Sequence, residues 1–406
     1  MLMRAQVKWA LGLGGGVAVV LVAATVALAQ WAGSDGFRAR AQQAASQALG
    51  VPVQLGRIEI AFWPSLAVAL RDVRIQTRPP LMLEQIDATP VWLSLLAGRP
   101  ALDALVVRNA VLPQQGIVAM AAGLQKQGPA NAPKGEDAMA NVPRRIVLDN
   151  VTWVDASGQK LTVDAQVAFA GELLPRSARI EVVGGRYAGA RARLDRGDEA
   201  WQLRADIGGG TVVGPLRLDP QRGGGWRLGG DLATDRVEVA ALTAPSRSLT
   251  GKLEARTTLQ AEFKDPAALV DVLRTQTRFT VRQAVLHGID LAQAARTLGI
   301  SRSGQTVLDT LTGQVATHGR AVQLSNLVAS SGSMSATGQV ALAPDRSLNG
   351  KVQVSLAGGA LGVPLQVGGS LDAPSATPTG VSLPGSQAAS DLGGRIGNGL
   401  KGLFGK

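Results

Sequence analysis

The chain has 406 residues and a net charge of +11, with no cysteine and two histidines. The lack of cysteine excludes a disulfide scaffold and zinc sites of the Cys/His type. Basic residues are scattered singly and are not interleaved with aromatic residues, which argues against a nucleic-acid-binding protein. Glycine occurs 50 times and aromatic residues make up 3% of the chain, a balance that favours many short β-strands over large helical cores.

The first element in chain order is an uncharged, mostly apolar stretch, residues 9–34. As a helix it would be roughly 39 Å long at about 1.5 Å per residue, enough to cross a hydrocarbon core of about 30 Å. Trp9 and Trp31 lie near its ends and Leu21 near its middle. Two basic residues precede it, so the positive-inside rule places residues 1–33 as a cytoplasmic N-terminus and transmembrane anchor, with the rest of the chain exported.

A cleaved secretory signal is the alternative interpretation of the same stretch. Ala27, Leu28 and Ala29 fit the small-residue pattern that precedes a cleavage site. The apolar run is longer than a usual signal core, which favours retention as an anchor. Both interpretations export the remainder of the chain.

Residues 34–124 are predicted to form a first exported region. Helical spacing from Phe37 to Leu49, followed by Gly50, predicts a short helix with a left-handed end. Beyond it, apolar residues alternate with polar ones, as at Leu66, Val68 and Leu70, which predicts strands.

This region carries a family resemblance in the order and spacing of several short motifs. They are Leu49-Gly50-Val51-Pro52-Val53, Gly56-Arg57-Ile58, Trp63-Pro64, Leu70-Arg71-Asp72-Val73 and Leu93-Ser94-Leu95-Leu96-Ala97-Gly98-Arg99-Pro100. Together with the preceding apolar helix they resemble the N-terminal region of the AsmA-like family of Gram-negative envelope proteins. The resemblance implies a protein held in the inner membrane, mostly periplasmic, with an apolar β-groove of the bridge-like lipid-transfer type.

Residues 125–144 are rich in Gly, Pro and Ala and predict a linker or mobile loop. Residues 145–372 alternate with a period of two and are punctuated by glycine-rich turns, which predicts antiparallel meanders. Asp290 is placed to cap a short helix that begins at Leu291. The strand before this helix and the Gly288-Ile289-Asp290-Leu291 sequence also resemble the AsmA-like C-terminal region.

The predicted fold is mainly β: a transmembrane helix followed by an elongated, twisted antiparallel β-groove with a few short helices. Helices are too few to cover the apolar strand faces, so acyl chains are the expected occupants. The candidate lining residues are Leu161, Val163, Val167, Phe169, Leu253, Leu259, Phe263, Val281 and Val285.

Residues 373–406 predict a flexible spacer and a Gly-rich amphipathic tail. Its apolar residues share one helical face and would contact a membrane or cap the end of the sheet. They are Leu392, Ile396, Leu400, Leu403 and Phe404.

No catalytic constellation is recognisable. The chain has no HExxH, P-loop or nucleophile-elbow motif, and His287 and His318 lie beside a helix cap and in a turn. We therefore predict a protein that is not an enzyme and has no cofactor or metal, with phospholipid and membrane as partners and no nucleic acid. Its function would be lipid transfer or outer-membrane biogenesis. The alternative is a periplasmic scaffold or assembly factor that contacts other envelope proteins.

Overall fold

A computed structural model describes residues 35–61, 67–91, 94, 101–126, 143–169, 174–222, 224–244, 247–264, 268–296, 304–319, 321–357 and 362–379. The predicted anchor and the predicted amphipathic tail lie outside these residues. Within them, no helix has both the length and the hydropathy needed to cross a bilayer.

The N-terminal part combines two helices with the first five strands of a large sheet. Helix α1 is Asp35–Leu49 and helix α2 is Gln114–Lys126. The strands are β1 Val53–Gln54, β2 Arg57–Ala61, β3 Ala67–Ile75, β4 Leu81–Pro90 and β5 Leu102–Pro113. The predicted helix at residues 37–49 is confirmed, and Gly50 ends it with a φ of 67°.

Seven strands form the middle of the sheet. They are β6 Arg145–Val154, β7 Lys160–Phe169, β8 Pro175–Gly185, β9 Arg191–Arg196, β10 Trp201–Ile207, β11 Gly210–Pro220 and β12 Trp226–Glu238. A five-residue helix, α3 Val239–Thr243, follows β12.

The C-terminal part adds eight strands and two short helices. The strands are β13 Leu249–Phe263, β14 Arg274–His287, β15 Gln305–His318, β16 Ala321–Ser331, β17 Met334–Leu342, β18 Leu348–Leu356, β19 Val363–Ser370 and β20 Ala373–Pro378. The helices are α4 Leu269–Val272 and α5 Leu291–Arg296. The sheet thus continues to Pro378, whereas composition predicts a flexible spacer from residue 373.

All twenty described strands belong to one open, mostly antiparallel sheet. From β3 onward each strand pairs with the next one along the chain, and β1 and β2 both pair with β3. Strands β5 and β6 are the exception to the antiparallel rule, because α2 and the residues after it return the chain to run β6 parallel to β5. At about 4.8 Å per strand the sheet would span roughly 85 Å if it were flat. The predicted mainly-β fold with few helices is confirmed.

The two ends of the sheet each have a helix-covered apolar core. At the N-terminal end, Ala41, Ala45 and Leu49 lie one helical turn apart on α1 and pack with Met120 of α2 against β3–β6. At the C-terminal end, Ala294 of α5 is fully buried among residues of β14–β20.

The C-terminal strands coil around α5. Gly288 lies against Pro374, although β14 and β20 are six strand steps apart, about 29 Å in a flat sheet. The Ser248 hydroxyl also donates a hydrogen bond to the Leu371 carbonyl. A twist of about 20–25° per step accumulates to roughly 120–150° over six steps, which brings the β19–β20 turn over the helix.

The two edges of the sheet differ. On β20, Ser375 and Thr377 occupy the positions that can bond to β19, so Pro374 and Pro378 take the outward positions. Proline has no backbone N–H, and two of the three outward positions therefore cannot donate a hydrogen bond. At the other edge, β2 pairs only with β3 among the described strands.

Candidate functional site: an uncovered apolar face

One side of the sheet, here called the apolar face, carries aliphatic side chains in register from strand to strand. Residues paired directly across strands point to the same side, so one row can be followed through the middle of the sheet. This row is Leu148, Ala165, Ile180, Ala192, Ala205, Val212 and Thr234, on β6 to β12 in order. A second row one register step away is Val167, Ala178, Leu194 and Leu203 on β7 to β10.

The apolar face is not covered in the middle of the sheet. Among the described residues, no helix packs against β7–β11, and each of these strands contacts mainly its two neighbours. On those five strands only Ala165 and Trp201 of the apolar face are buried, and Ile180 is 40% exposed. Trp153, on the adjacent β6, is 38% exposed.

The uncovered area is large for a soluble surface. Five strands, β7–β11, extend about 24 Å across the sheet, and a typical length of seven residues extends about 23 Å along them. The product is roughly 550 Å², near the upper end of the range of about 300–600 Å² for the largest apolar patch on an ordinary monomer. Patches of this size mark binding surfaces.

The opposite side, here called the polar face, is lined by charged side chains joined in cross-strand pairs. Arg191 donates to Glu181 at 2.8 Å and Arg282 donates to Glu254 at 2.8 Å. The hydrogen bond from Arg282 lowers the pKa of Glu254 below its ordinary value. The remaining pairs on this face include Arg71–Glu59, Arg108–Asp87, Arg227–Glu262 and Lys252–Glu238. The two faces of one sheet therefore present opposite chemistry.

No protein-family model, curated protein or solved structure matches the chain.

Four of the sequence-predicted lining residues lie on β7. Leu161, Val163, Val167 and Phe169 all point to the apolar face, where each is half-buried. They share the uncovered region with the rows described above.

The predicted residues of the C-terminal half lie on the same face but partly inside the core around α5. Leu253 and Phe263 are half-buried, whereas Leu259 is 9% and Val281 is 1% exposed. Val281 is therefore a core residue, closed off from any ligand that lies on the open surface.

Val285 differs from the prediction that it shares a face with Val281. Gln283 has a φ of 50° and the register against β13 shifts there, so Ala284 takes the apolar-face position beside Leu308. Val285 pairs with Val307 on the polar face. A simple period of two cannot anticipate such a bulge.

Sequence reasoning did not single out the residues that form most of the open surface, on β8–β12. Ile180, Leu194, Leu203, Leu216 and Leu232 occupy it in register. In β9 arginines alternate with Ala192 and Leu194, a pattern that indicates a strand. Because most of its residues are charged, the two apolar residues were not predicted to line the face.

The described part of the chain has no candidate metal site. No cluster of three or more His, Asp or Glu residues is close enough there to hold a metal ion. His287 lies 3.2 Å from the Thr250 hydroxyl, a pairing that fits a structural side chain.

Proposed function

We propose that the apolar face of β7–β12 binds the hydrocarbon chains of phospholipids, in a protein anchored in the inner membrane with most of its chain in the periplasm. Its role would be lipid transfer or outer-membrane biogenesis. The observation that carries the proposal is the continuous apolar face, which helices cover at both ends of the sheet and leave uncovered in its middle.

The chemistry of the face favours acyl chains over a polar ligand. Apart from Thr234, its rows consist of Leu, Val, Ile and Ala, and they lack the cluster of placed polar groups that orients a small polar molecule. Burial of each methylene group of a chain contributes about 0.8 kcal/mol. A long hydrocarbon chain can therefore bind a smooth aliphatic wall without any directional contact.

The length of the sheet supports an elongated lipid-binding surface. Neighbouring strands of a sheet twist in one direction, so a sheet of twenty strands coils, as the strands around α5 do. The apolar face of β7–β12 is one continuous surface between the two helix-covered ends of this sheet. The resemblance to the AsmA-like family and the predicted anchor support a location at the inner membrane.

Site-specific photocrosslinking tests the proposal. A photoreactive amino acid is placed at Ile180 or Leu203 on the apolar face, and at Val307 on the polar face as a matched control. Val307 is a suitable control because it is also apolar, is 60% exposed and lies on β15, outside the open middle of the sheet.

In cells we expect crosslinks to phospholipid from Ile180 and Leu203 and none from Val307. Equal lipid labelling from both faces, or no lipid from either, would overturn the proposal. Mass spectrometry of the crosslinked adducts would also identify the lipid class.

A scaffold that binds other envelope proteins is the second candidate, favoured by the edge at β2. Backbone groups on the outer side of β2 have no partner strand among the described residues, and they can pair with a strand from another protein. Crosslinks from Glu59 to proteins, combined with an absence of lipid on the apolar face, would favour this candidate.

A further inference from the structure

Three arginines stand side by side on the polar face of β8, β9 and β10. Arg179 pairs in register with Arg193, and Arg193 pairs with Arg204. Directly paired side chains have Cβ atoms about 4.5–5.5 Å apart, so the three cations form one row across three strands. Like charges at paired positions repel each other, and a sheet gains no stability from such a row.

The next row on the same face has the opposite arrangement. Glu181, Arg191 and Asp206 pair in register, so Arg191 lies between two carboxylates. The 2.8 Å contact between Arg191 and Glu181 pairs the single cation of this row, which has one more carboxylate than it has arginines. The two rows lie on the same three strands, and their charges alternate in one row and not in the other.

The arginine row is only partly neutralised by its own strands. Asp195 holds Arg193, and Asp206 lies 3.7 Å from Arg204. Arg179 has no carboxylate within ion-pair distance among the described residues, and Gln166 of β7 is its register neighbour. The row therefore keeps excess positive charge and several N–H donors that point in one direction.

The row lies in a concavity of the polar face. This concavity has a volume of about 750 Å³. Its charged and polar lining consists of the three arginines with Arg108, Arg191 and Gln166, and of the carboxylates of Asp149, Asp164, Glu181 and Asp206. The polar face is thus hollow where the arginines stand, and a ligand seated there would meet five guanidinium groups and four carboxylates.

We propose that the row of Arg179, Arg193 and Arg204 binds a phosphate group. Guanidinium is planar and presents paired N–H donors that match phosphate oxygens, and each such charge-assisted bond is stronger than a neutral one. A bound phosphate would also remove the repulsion within the row. The phosphate comes either from a lipid headgroup or from a soluble phosphate compound, and the site lies on the face opposite the acyl-chain surface.

Calorimetry on the full chain in neutral detergent micelles tests the proposal with pyrophosphate as the probe. The variants are Arg179→Gln, Arg193→Gln and Arg204→Gln, and the matched control is Arg227→Gln, an ion-paired arginine on the polar face of β12 that does not line the concavity. We expect saturable binding with one pyrophosphate per chain, about ten-fold weaker in each row variant and less than about two-fold weaker in the control.

A second readout separates binding from a structural role. Without ligand, Arg179→Gln should raise the melting temperature because it removes repulsion, whereas loss of a structural contact would lower it. No saturable binding, an equal loss in Arg227→Gln, or a lowered melting temperature in Arg179→Gln would each overturn the proposal.

The source of the phosphate is distinguished by a short-chain lipid pair. Dihexanoyl phosphatidic acid that competes with pyrophosphate, while dihexanoyl phosphatidylcholine does not, supports a headgroup as the ligand. Pyrophosphate binding without competition by either lipid supports a soluble phosphate compound. These results do not depend on the apolar face, so failure of acyl-chain binding would leave the arginine site standing.

Discussion

Replacement of Leu203 by aspartate tests directly whether hydrocarbon lies on the open apolar face. Leu203 is half-buried and pairs with Leu194 and Gly214, in the middle of the uncovered region. An acyl chain that crosses this position would lose apolar contact for about three methylene groups, or about 2.4 kcal/mol. That loss corresponds to roughly 50-fold weaker binding, and the desolvation of a carboxylate beside the chain would weaken it further.

The matched control is Val307→Asp, which introduces the same charge on the polar face of β15. Val307 is 60% exposed, so its replacement places a carboxylate in water rather than beside hydrocarbon. The assay is the molar ratio of phospholipid to protein after purification in mild detergent, measured by quantitative mass spectrometry. Circular dichroism establishes that both variants are folded.

We expect Leu203→Asp to retain less than about a tenth of the wild-type lipid and Val307→Asp to retain nearly all of it. Wild-type lipid content in folded Leu203→Asp would refute the reasoning. An equal loss in both variants would assign the lipid to nonspecific association with the chain.

Three further predictions concern the stability of the fold. Leu365→Ala should lower the free energy of unfolding by about 2–5 kcal/mol in urea titrations, because Leu365 is 1% exposed in the core around α5; a loss below about 1 kcal/mol would mean that this core is not packed. Asp290→Ala should cost about 0.5–2 kcal/mol, since Asp290 Oδ1 accepts the Gln293 N–H at 2.8 Å and caps α5, and Asp290→Asn should recover most of that cost. The lowered pKa of Glu254 means that its contribution to stability is full above the unfolded-state pKa and is lost as pH falls through the folded-state value; carboxyl NMR titrations should show this shift, and Arg282→Gln should abolish it.

Local signals in the sequence predict much of the fold correctly. The four-residue spacing of Ala41, Ala45 and Leu49 with Gly50 behind them defines α1, and Asp290 defines the start of α5. These two helices depend on residues that are close together in the chain, so the sequence alone is enough to predict them.

Helix α2 shows why other elements are not predictable in this way. Its two glycines are poor helix formers, but a Cβ at Gly116 would lie 2.6 Å from the Pro79 carbonyl oxygen, and one at Gly123 would lie 3.0 Å from Val51 Cγ1. The helix depends on close packing against distant segments, which leaves no periodic signal. The parallel pairing of β5 with β6 follows from the same long-range arrangement.

The candidate site was predictable as a face and not as a set of residues. The alternation in β7 puts its four candidate residues on one face, as the structure does, because that strand has no bulge of its own. Because of the bulge at Gln283, Ala284 and not Val285 lies on the apolar face. Val281 is buried in the core around helix α5 and is therefore not on the open surface. The positions of the packed helices decide which part of the apolar face is open. These positions cannot be predicted from the sequences of the strands.

The prolines of β20 limit what copies of this chain can build. A head-to-tail fibre would require β2 of one molecule to bond with β20 of the next, and Pro374 and Pro378 withhold two of the three donors that such a junction needs. Each molecule therefore remains a ribbon of fixed length. If a ligand travels along the apolar face over a distance longer than this ribbon, a different protein or a bilayer has to provide the rest of its path.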